Sequence, residues 1–452
     1  AGAEGARWFG RPDSNWNTVC AGGLGMLALA MYEDAPEARE LLSRAETSVA
    51  PYFETLDRTS GAWPEGIGYW NYGMRYGFMY LLSHERAMGQ EHRLMQLQGV
   101  RQTLAFPLDF CPHGQPCSFG DVNRWEPLPF HYQAAARLNC SDVLQGLDAF
   151  LVEHGAPLWG LWPNAVEWLA LHPGEVAKPG PEAGEQAEVK LYKGLDWGVL
   201  VDRSSNPQLY MSVRGGTTQV PHGHRDLLSY HCVVGKEKLI ANLGPAEYLD
   251  TTLSPRRDEM FEMAPSSKKV FLIICGGIAA QTSLECTELV HLDGAQGIRL
   301  EATSAMGVMY DGPAARFCGR WVLLLEEGVF LLIDHAILTR VGRVESRLHT
   351  FAEVEVGRDG AMLKGERECL RAAYACNVPA LLCTATTAPT MPTEPSATVL
   401  RWWTERQPVD VIMGTLRSPG TEETQVRLTA GASGYEIGAG GSDWRTTLAL
   451  SR

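Results

Sequence analysis

A chain of 452 residues, 45% hydrophobic and 20% charged, is too long for one ordinary core and too apolar for a disordered polymer, so two globular domains are expected. A formal charge of −14 excludes general nucleic-acid binding. It also means that an acidic ligand is repelled at long range and needs a local cationic pocket.

The first third reads as helices. Val19 to Met31 is apolar with small residues, and Asp34 and Pro36 end it. Glu37 to Leu56 carries Leu41, Leu42, Ala45, Val49, Tyr52 and Phe53 close to the 3.6-residue period. Tyr69 to His84, Arg93 to Leu104, Pro129 to Leu138, Ser141 to His154 and an aromatic-rich Leu158 to Leu171 follow. Helix after helix joined by loops suggests an α/α toroid over 1–172. A segment rich in Pro, Gly, Glu and Ala reads as a linker over 173–189.

From 190 to 452 the period becomes two. Trp197 to Asp202, Leu209 to Arg214, Leu228 to Val234 and Lys238 to Leu243 read as short strands. The pattern continues through Lys269 to Ile274, Gly297 to Ala305, Trp321 to Leu325, Val329 to Ile337 and Val344 to Phe351, while Gly434 to Gly441 reads as a turn cluster. The expected fold is therefore α+β multidomain: helices first, then an antiparallel β-sandwich. No apolar stretch is long enough for a bilayer; the best, around Val270 to Ile274, stops at Gly276 and Gly277. The 11 cysteines form no CxxC pair, which argues against a zinc knuckle. Cys111 and Cys117 flank a five-residue loop and read equally well as a disulfide or as two thiols.

Three segments carry chemistry. The first is Ser14-Asn15-Trp16-Asn17 at a helix start, where an Asn is ordinarily a cap. The second is Trp63-Pro64-Glu65-Gly66-Ile67-Gly68-Tyr69-Trp70-Asn71-Tyr72-Gly73, whose aromatics read either as core or as platforms for the apolar faces of sugars. The third is His222-Gly223-His224-Arg225-Asp226. In extended backbone its alternate residues share one face, so His222 and His224 converge on one ligand and Asp226 orients an imidazole; the plain alternative is a hydrogen-bonded surface trio.

Together these segments resemble the heparinase II/III-like polysaccharide lyase superfamily, which also includes relatives acting on alginate. The resemblance runs from about Asn15 to Ile274. It implies β-elimination at a 4-linked uronic acid of an acidic polysaccharide or oligosaccharide. That reaction needs a neutralised C6 carboxylate, a base for the C5 proton and an acid for the leaving oxygen. By this resemblance Asn15 binds the carboxylate, Tyr69 is the acid and in a syn elimination also the base, and His222 neutralises the carboxylate or acts as base. Arg75 and the histidines would supply the positive field that brings a Tyr toward neutrality. Trp16, Trp70, Tyr72, Arg75, His131, Tyr248, Arg257, Glu65 and His224 are the expected substrate contacts.

Two departures from the family pattern matter. Where many members carry His after the motif Asn, this chain has Trp16, which cannot accept a proton. Where some relatives hold a structural zinc, the matching positions are His224, Asn242 and Lys268. Asn is a poor zinc ligand and an ammonium is none, so no metal and no other cofactor is expected. Lys268, or Lys269 if the match slips by one residue, would replace the cation and hydrogen-bond Asn242.

Two rival functions stay open. One is a glycoside hydrolase using Glu65 with Asp226 or Asp121. The other is an inactive carbohydrate-binding relative. More helices usually precede the Asn motif in this family, so an N-terminal helical portion is expected to be absent from this chain or supplied by another. A shortened toroid would expose apolar surface and favour a homo-oligomer. A periplasmic or secreted location goes with a polysaccharide substrate.

Overall fold

The computed structural model describes residues 11–154, 166–167, 187–245, 247–273, 277–309, 312–405, 409–431 and 434–451. The expected helix Leu158 to Leu171, apart from residues 166–167, and the linker up to residue 186 lie outside the described residues. The chain divides into two compact units, the first comprising Ala1–Gly184, Tyr192–Leu195 and Val220–His222, the second Glu185–Leu191, Asp196–Gln219 and Gly223–Arg452. The His-Gly-His segment is thus divided, with His222 counted among the helices.

The helices of the first unit are α1 (Trp16–Ala30), α2 (Glu37–Arg58), α3 (Ile67–Met88), α4 (Gln98–Gln102), α5 (Phe106–Asp109), α6 (Pro129–Arg137) and α7 (Ser141–His154). α2 is amphipathic: Leu42, Ala45, Val49, Tyr52, Phe53 and Leu56 are buried, and Glu37 and Glu40 sit in its first turn, where the helix dipole favours acids. α1 packs on both α2 and α3. Phe53 of α2 meets Phe78 of α3 edge-to-face at 5.8 Å. No helix among the described residues is long and apolar enough to cross a membrane.

The helix expected over Arg93 to Leu104 is instead three short pieces, because Leu97 takes an extended conformation between the 3-10 turn Arg93–Gln96 and α4.

The second unit is antiparallel sheet. Five strands, Ala187–Tyr192, Trp197–Asp202, Leu209–Arg214, Tyr230–Val234 and Glu237–Ile240, lie in sequence order. An eight-stranded sheet runs Glu353–Val356, Gly360–Lys364, Cys369–Cys376, Asp410–Pro419, Val329–Leu338, Ala315–Leu325, Ala295–Glu301 and Cys286–Leu292 from edge to edge. Its central strand Val329–Leu338 is apolar on both faces. Phe330, Leu332 and Ala336 join one core with Met211 of the five-stranded sheet and with Phe271, Leu348 and Leu400 of a four-stranded sheet. Val329, Leu331 and Ile333 join a second core with Val426, Ile437 and Leu448 of a three-stranded C-terminal sheet. A strand buried on both sides reads as a continuous apolar run. Gly434 to Gly441, expected as a turn, is largely the middle strand Gly434–Gly440 of that last sheet.

Candidate functional site

The Trp63-to-Gly73 segment folds as a tight entry into α3. Gly66 takes φ +86°, and a side chain there would come within 2.4 Å of the Phe119 carbonyl oxygen. The Ile67 N–H, left without a helical acceptor, donates to Ser118 Oγ at 3.1 Å. Gly73 lies so close to α1 that a Cβ would be 2.5 Å from Tyr52 Oη and 2.9 Å from Asn15 Cβ. These two glycines bring Glu65, Tyr69 and Asn15 together.

Glu65 is 1% exposed. Its Oε2 accepts from the Asn15 backbone N–H at 2.9 Å and from Trp63 Nε1 at 3.0 Å. Burial pushes its carboxyl up to about 7, against the opposing pull of His222 and of the two N–H donors. Its Oε1 lies 3.7 Å from His222 Nε2. The other ring nitrogen, Nδ1, lies 3.0 Å from Asp121 Oδ2, a buried carboxylate. The imidazole is therefore bracketed by two acids, and its face stacks on Tyr69 with ring centroids 4.1 Å apart and planes at 20°. His222 holds φ +58°, a left-handed conformation that a histidine adopts at some cost.

Tyr69 and His222 are thus adjacent, and both belong to the first unit. Asn15 is tied to them through Glu65, but it is 1% exposed and its Oδ1 is buried without a partner. It is not a simple cap, since its side chain makes no capping hydrogen bond. Trp16 and Tyr72, each 41% exposed, meet edge-to-face at 6.4 Å. Arg75 is engaged by Glu167 at 2.6 Å.

Several expected contacts are corrected. Trp70 and His131 are 0% exposed and so cannot touch a substrate in this conformation. Trp70 donates through Nε1 to Thr103 Oγ1 at 2.7 Å. His131 Nε2 pairs with the Leu104 carbonyl at 2.7 Å, and burial lowers its pKa to about 4. The Arg257 guanidinium donates to the carbonyls of Thr252 and Gly223, both at 3.1 Å. Tyr248 is exposed in its loop.

His224 is 3% exposed, and its Nδ1 lies 2.9 Å from Lys268 Nζ, inside the second unit. The alternation argument for His222 and His224 fails because His222 is not in extended backbone. Asp226 accepts from Arg214 Nε at 3.3 Å and from Asn242 Nδ2 at 3.2 Å. Lys268 also donates to the Leu243 carbonyl. Lys269, rather than Lys268, donates to Asn242 Oδ1, at 3.0 Å. Arg320, paired with Asp334, fixes this region by donating to the carbonyls of Leu228 and Lys269 at 2.7 and 2.6 Å. The three positions matching the zinc ligands of relatives do not fit a divalent cation: an ammonium lies against one imidazole nitrogen, an ammonium is itself no ligand, and the Asn oxygen faces a second ammonium.

No motif marks Asp121 as the partner of His222, nor Arg124 and Trp125, whereas Lys269 is the expected alternative to Lys268. Asp121 follows Gly120 in a loop, and that was its only signal. Arg124 and Trp125 join Gly68, Tyr69, Asn71, Tyr72 and Arg75 around a cavity of about 580 Å³.

No family model and no curated protein matches the sequence. Solved structures do. A helical unit followed by layered antiparallel sheets defines a heparinase-like α+β architecture. The chain is similar to heparinase III (TM-score 0.65, 12% identity, covering 98% of this chain and 68% of that one). It is also similar to a mutant heparan sulfate lyase from Pedobacter heparinus (0.72, 10%, 96% and 66%) and to heparinase III with methylated lysines (0.69, 11%, 99% and 66%). At these identities the likeness is one of fold, and the chain spans about two thirds of the length of those structures.

Proposed function

We propose that the chain is a polysaccharide lyase that cleaves a uronate-containing polysaccharide or oligosaccharide by β-elimination. The observation that carries this reading is the stacked Tyr69–His222 pair at 4.1 Å, with Asp121 on the imidazole's far nitrogen. Elimination needs a proton acceptor and a proton donor on one small patch, beside a group that spreads charge onto the C6 carboxylate. Tyr69 takes the C5 proton and returns a proton to the leaving oxygen, in a syn sense, so that Trp16 need not replace a base. His222, oriented by Asp121, faces the carboxylate. The amide of Asn15 is assigned to the same carboxylate, on substrate entry that uncovers it. Glu65, close to its own titration point, tunes the charge beside His222.

The likeness to heparinase III and to heparan sulfate lyases supports the same substrate class and an α/α toroid followed by a β-sandwich. A periplasmic or secreted location suits a substrate too large to enter a cell.

The hydrolase alternative fits less well. It needs two accessible carboxyl groups flanking a glycosidic bond, roughly 5–10 Å apart. Glu65 and Asp121 are instead both buried and spent on one imidazole.

The experiment is a screen of uronate polymers with two readouts. Elimination creates a C4–C5 double bond that absorbs in the ultraviolet; hydrolysis creates only a reducing end. Tyr69→Phe should abolish the ultraviolet signal while leaving the melting temperature unchanged. A fully active Tyr69→Phe enzyme, or reducing ends without absorbance, would refute the reading.

A further inference from the structure

The cavity of about 580 Å³ beside Tyr69 has two guanidinium groups in its wall, Arg75 and Arg124. They are not equivalent. Arg75 is held by buried Glu167 through Nε at 2.7 Å and Nη2 at 2.6 Å. Arg124 is exposed, and no carboxylate lies within ion-pairing distance of it among the described residues. Glu126, which lines the same cavity, interacts with it electrostatically, and burial pushes the Glu126 carboxyl up, toward the neutral form. Next to it Trp125 is 7% exposed, and its Nε1 is buried with no hydrogen-bond partner; Asn71 Oδ1 is in the same state. A buried indole N–H without an acceptor costs free energy that a ligand oxygen can recover. Tyr72 adds an exposed aromatic face.

The exposed Tyr72 ring beside the exposed Arg124 guanidinium suits a pyranose ring carrying an oxyanion. We infer that this cavity binds the sugar next to the reacting uronate, and that Arg124 selects for a carboxylate or sulfate on that neighbour. The inference rests on the lyase reading for its placement beside the scissile unit. It assigns to Arg124 a choice among substrates, not a part in the proton transfers. In a protein of charge −14, a local cation of this kind is what an acidic chain requires.

The test measures binding, so that it stands apart from turnover. The full chain bearing Tyr69→Phe is titrated calorimetrically with three tetrasaccharides built on a 4-linked uronate. One carries a sulfate on the neighbouring unit, one a carboxylate there, and one neither. The anionic probes should bind about tenfold more tightly than the neutral one. Arg124→Gln should reduce that preference to about twofold or less and flatten its salt dependence; Arg124→Lys should keep part of it. The ranking of sulfate over carboxylate, or the reverse, names the source of the anion. Equal binding of all three probes, or a preference that survives Arg124→Gln, overturns the inference. If the preference depends on Arg124 but the unmutated protein eliminates none of the polymers, the anion site stands and the lyase reading falls.

Discussion

Asp121 Oδ2 sits 3.0 Å from Nδ1 of His222, although the two residues are 101 positions apart. An imidazole whose Nδ1 is fixed by a buried carboxylate is held in one orientation, here with Nε2 turned toward Glu65. On the lyase reading proposed above, Asp121 is a positioning residue. Asp121→Asn should lower kcat for elimination by about 10²-fold and leave KM within about threefold. Asp121→Glu should recover part of the loss. Equal losses in both variants, accompanied by a fallen melting temperature, would make Asp121 a mere packing element.

Two buried groups pull stability in opposite directions with pH. Burial raises Glu65 from 4.5 to about 7. Between those values the unfolded chain has released a proton that the folded protein keeps, so stability falls as pH rises, by roughly 3 kcal/mol in all. Burial lowers His131 from 6.5 to about 4. There the unfolded chain takes up a proton that the fold refuses, so stability falls as pH drops, again by roughly 3 kcal/mol. The slopes oppose each other where the windows overlap. Glu65→Gln should steepen the loss on acidification, and His131→Gln should steepen the loss on raising pH. Urea denaturation near pH 5 and near pH 8 measures both; variants whose pH curves stay parallel to the wild type would contradict the assignments.

At Gly73 a Cβ would fall 2.5 Å from Tyr52 Oη on α2 and 2.9 Å from Asn15 Cβ at the start of α1. In Gly73→Ala the new methyl group meets Tyr52 Oη and Asn15 Cβ, so Asn15 must move off Glu65. A stability loss of about 1–3 kcal/mol is expected, together with a drop in elimination rate larger than the unfolded fraction accounts for. A variant of wild-type rate and stability would mean that α1 and α3 part without consequence.

Lys268 Nζ lies 2.9 Å from His224 Nδ1 and places a positive charge where a cation would be repelled. Chelators should therefore leave the melting temperature of the wild type unchanged. Lys268→Met should cost about 2–5 kcal/mol, because it strands the His224 nitrogen and the Leu243 carbonyl. The pair Asn242→Asp with Lys268→His should gain a melting temperature that rises with added zinc. Stoichiometric zinc in the purified wild type would refute the whole account.

Much of the framework was legible in the residues. The strands Trp197–Asp202 and Leu209–Arg214 begin and end where the period-two pattern does, because each packs a continuous apolar face. α3 starts where glycine and proline punctuate the sequence. Residues 93–104 misled because apolar spacing alone does not reveal the extended turn at Leu97. Glycines in 434–441 read as a turn, yet paired edges on both sides hold them in a strand. The site was only half visible. Tyr69 and His222 were named from their motifs, but Asp121 is brought to His222 by tertiary folding that no local pattern records. Trp70 and His131 were misplaced because an aromatic in or near such a motif looks the same in sequence whether it faces solvent or the interior.

The backbone of His222 has one further consequence. At φ +58° a glycine would rest there more comfortably than any residue with a Cβ, by about 1 kcal/mol. Thermal selection applied without an activity screen should therefore discard this imidazole early, and the hardiest descendants of the chain would be the ones least able to work.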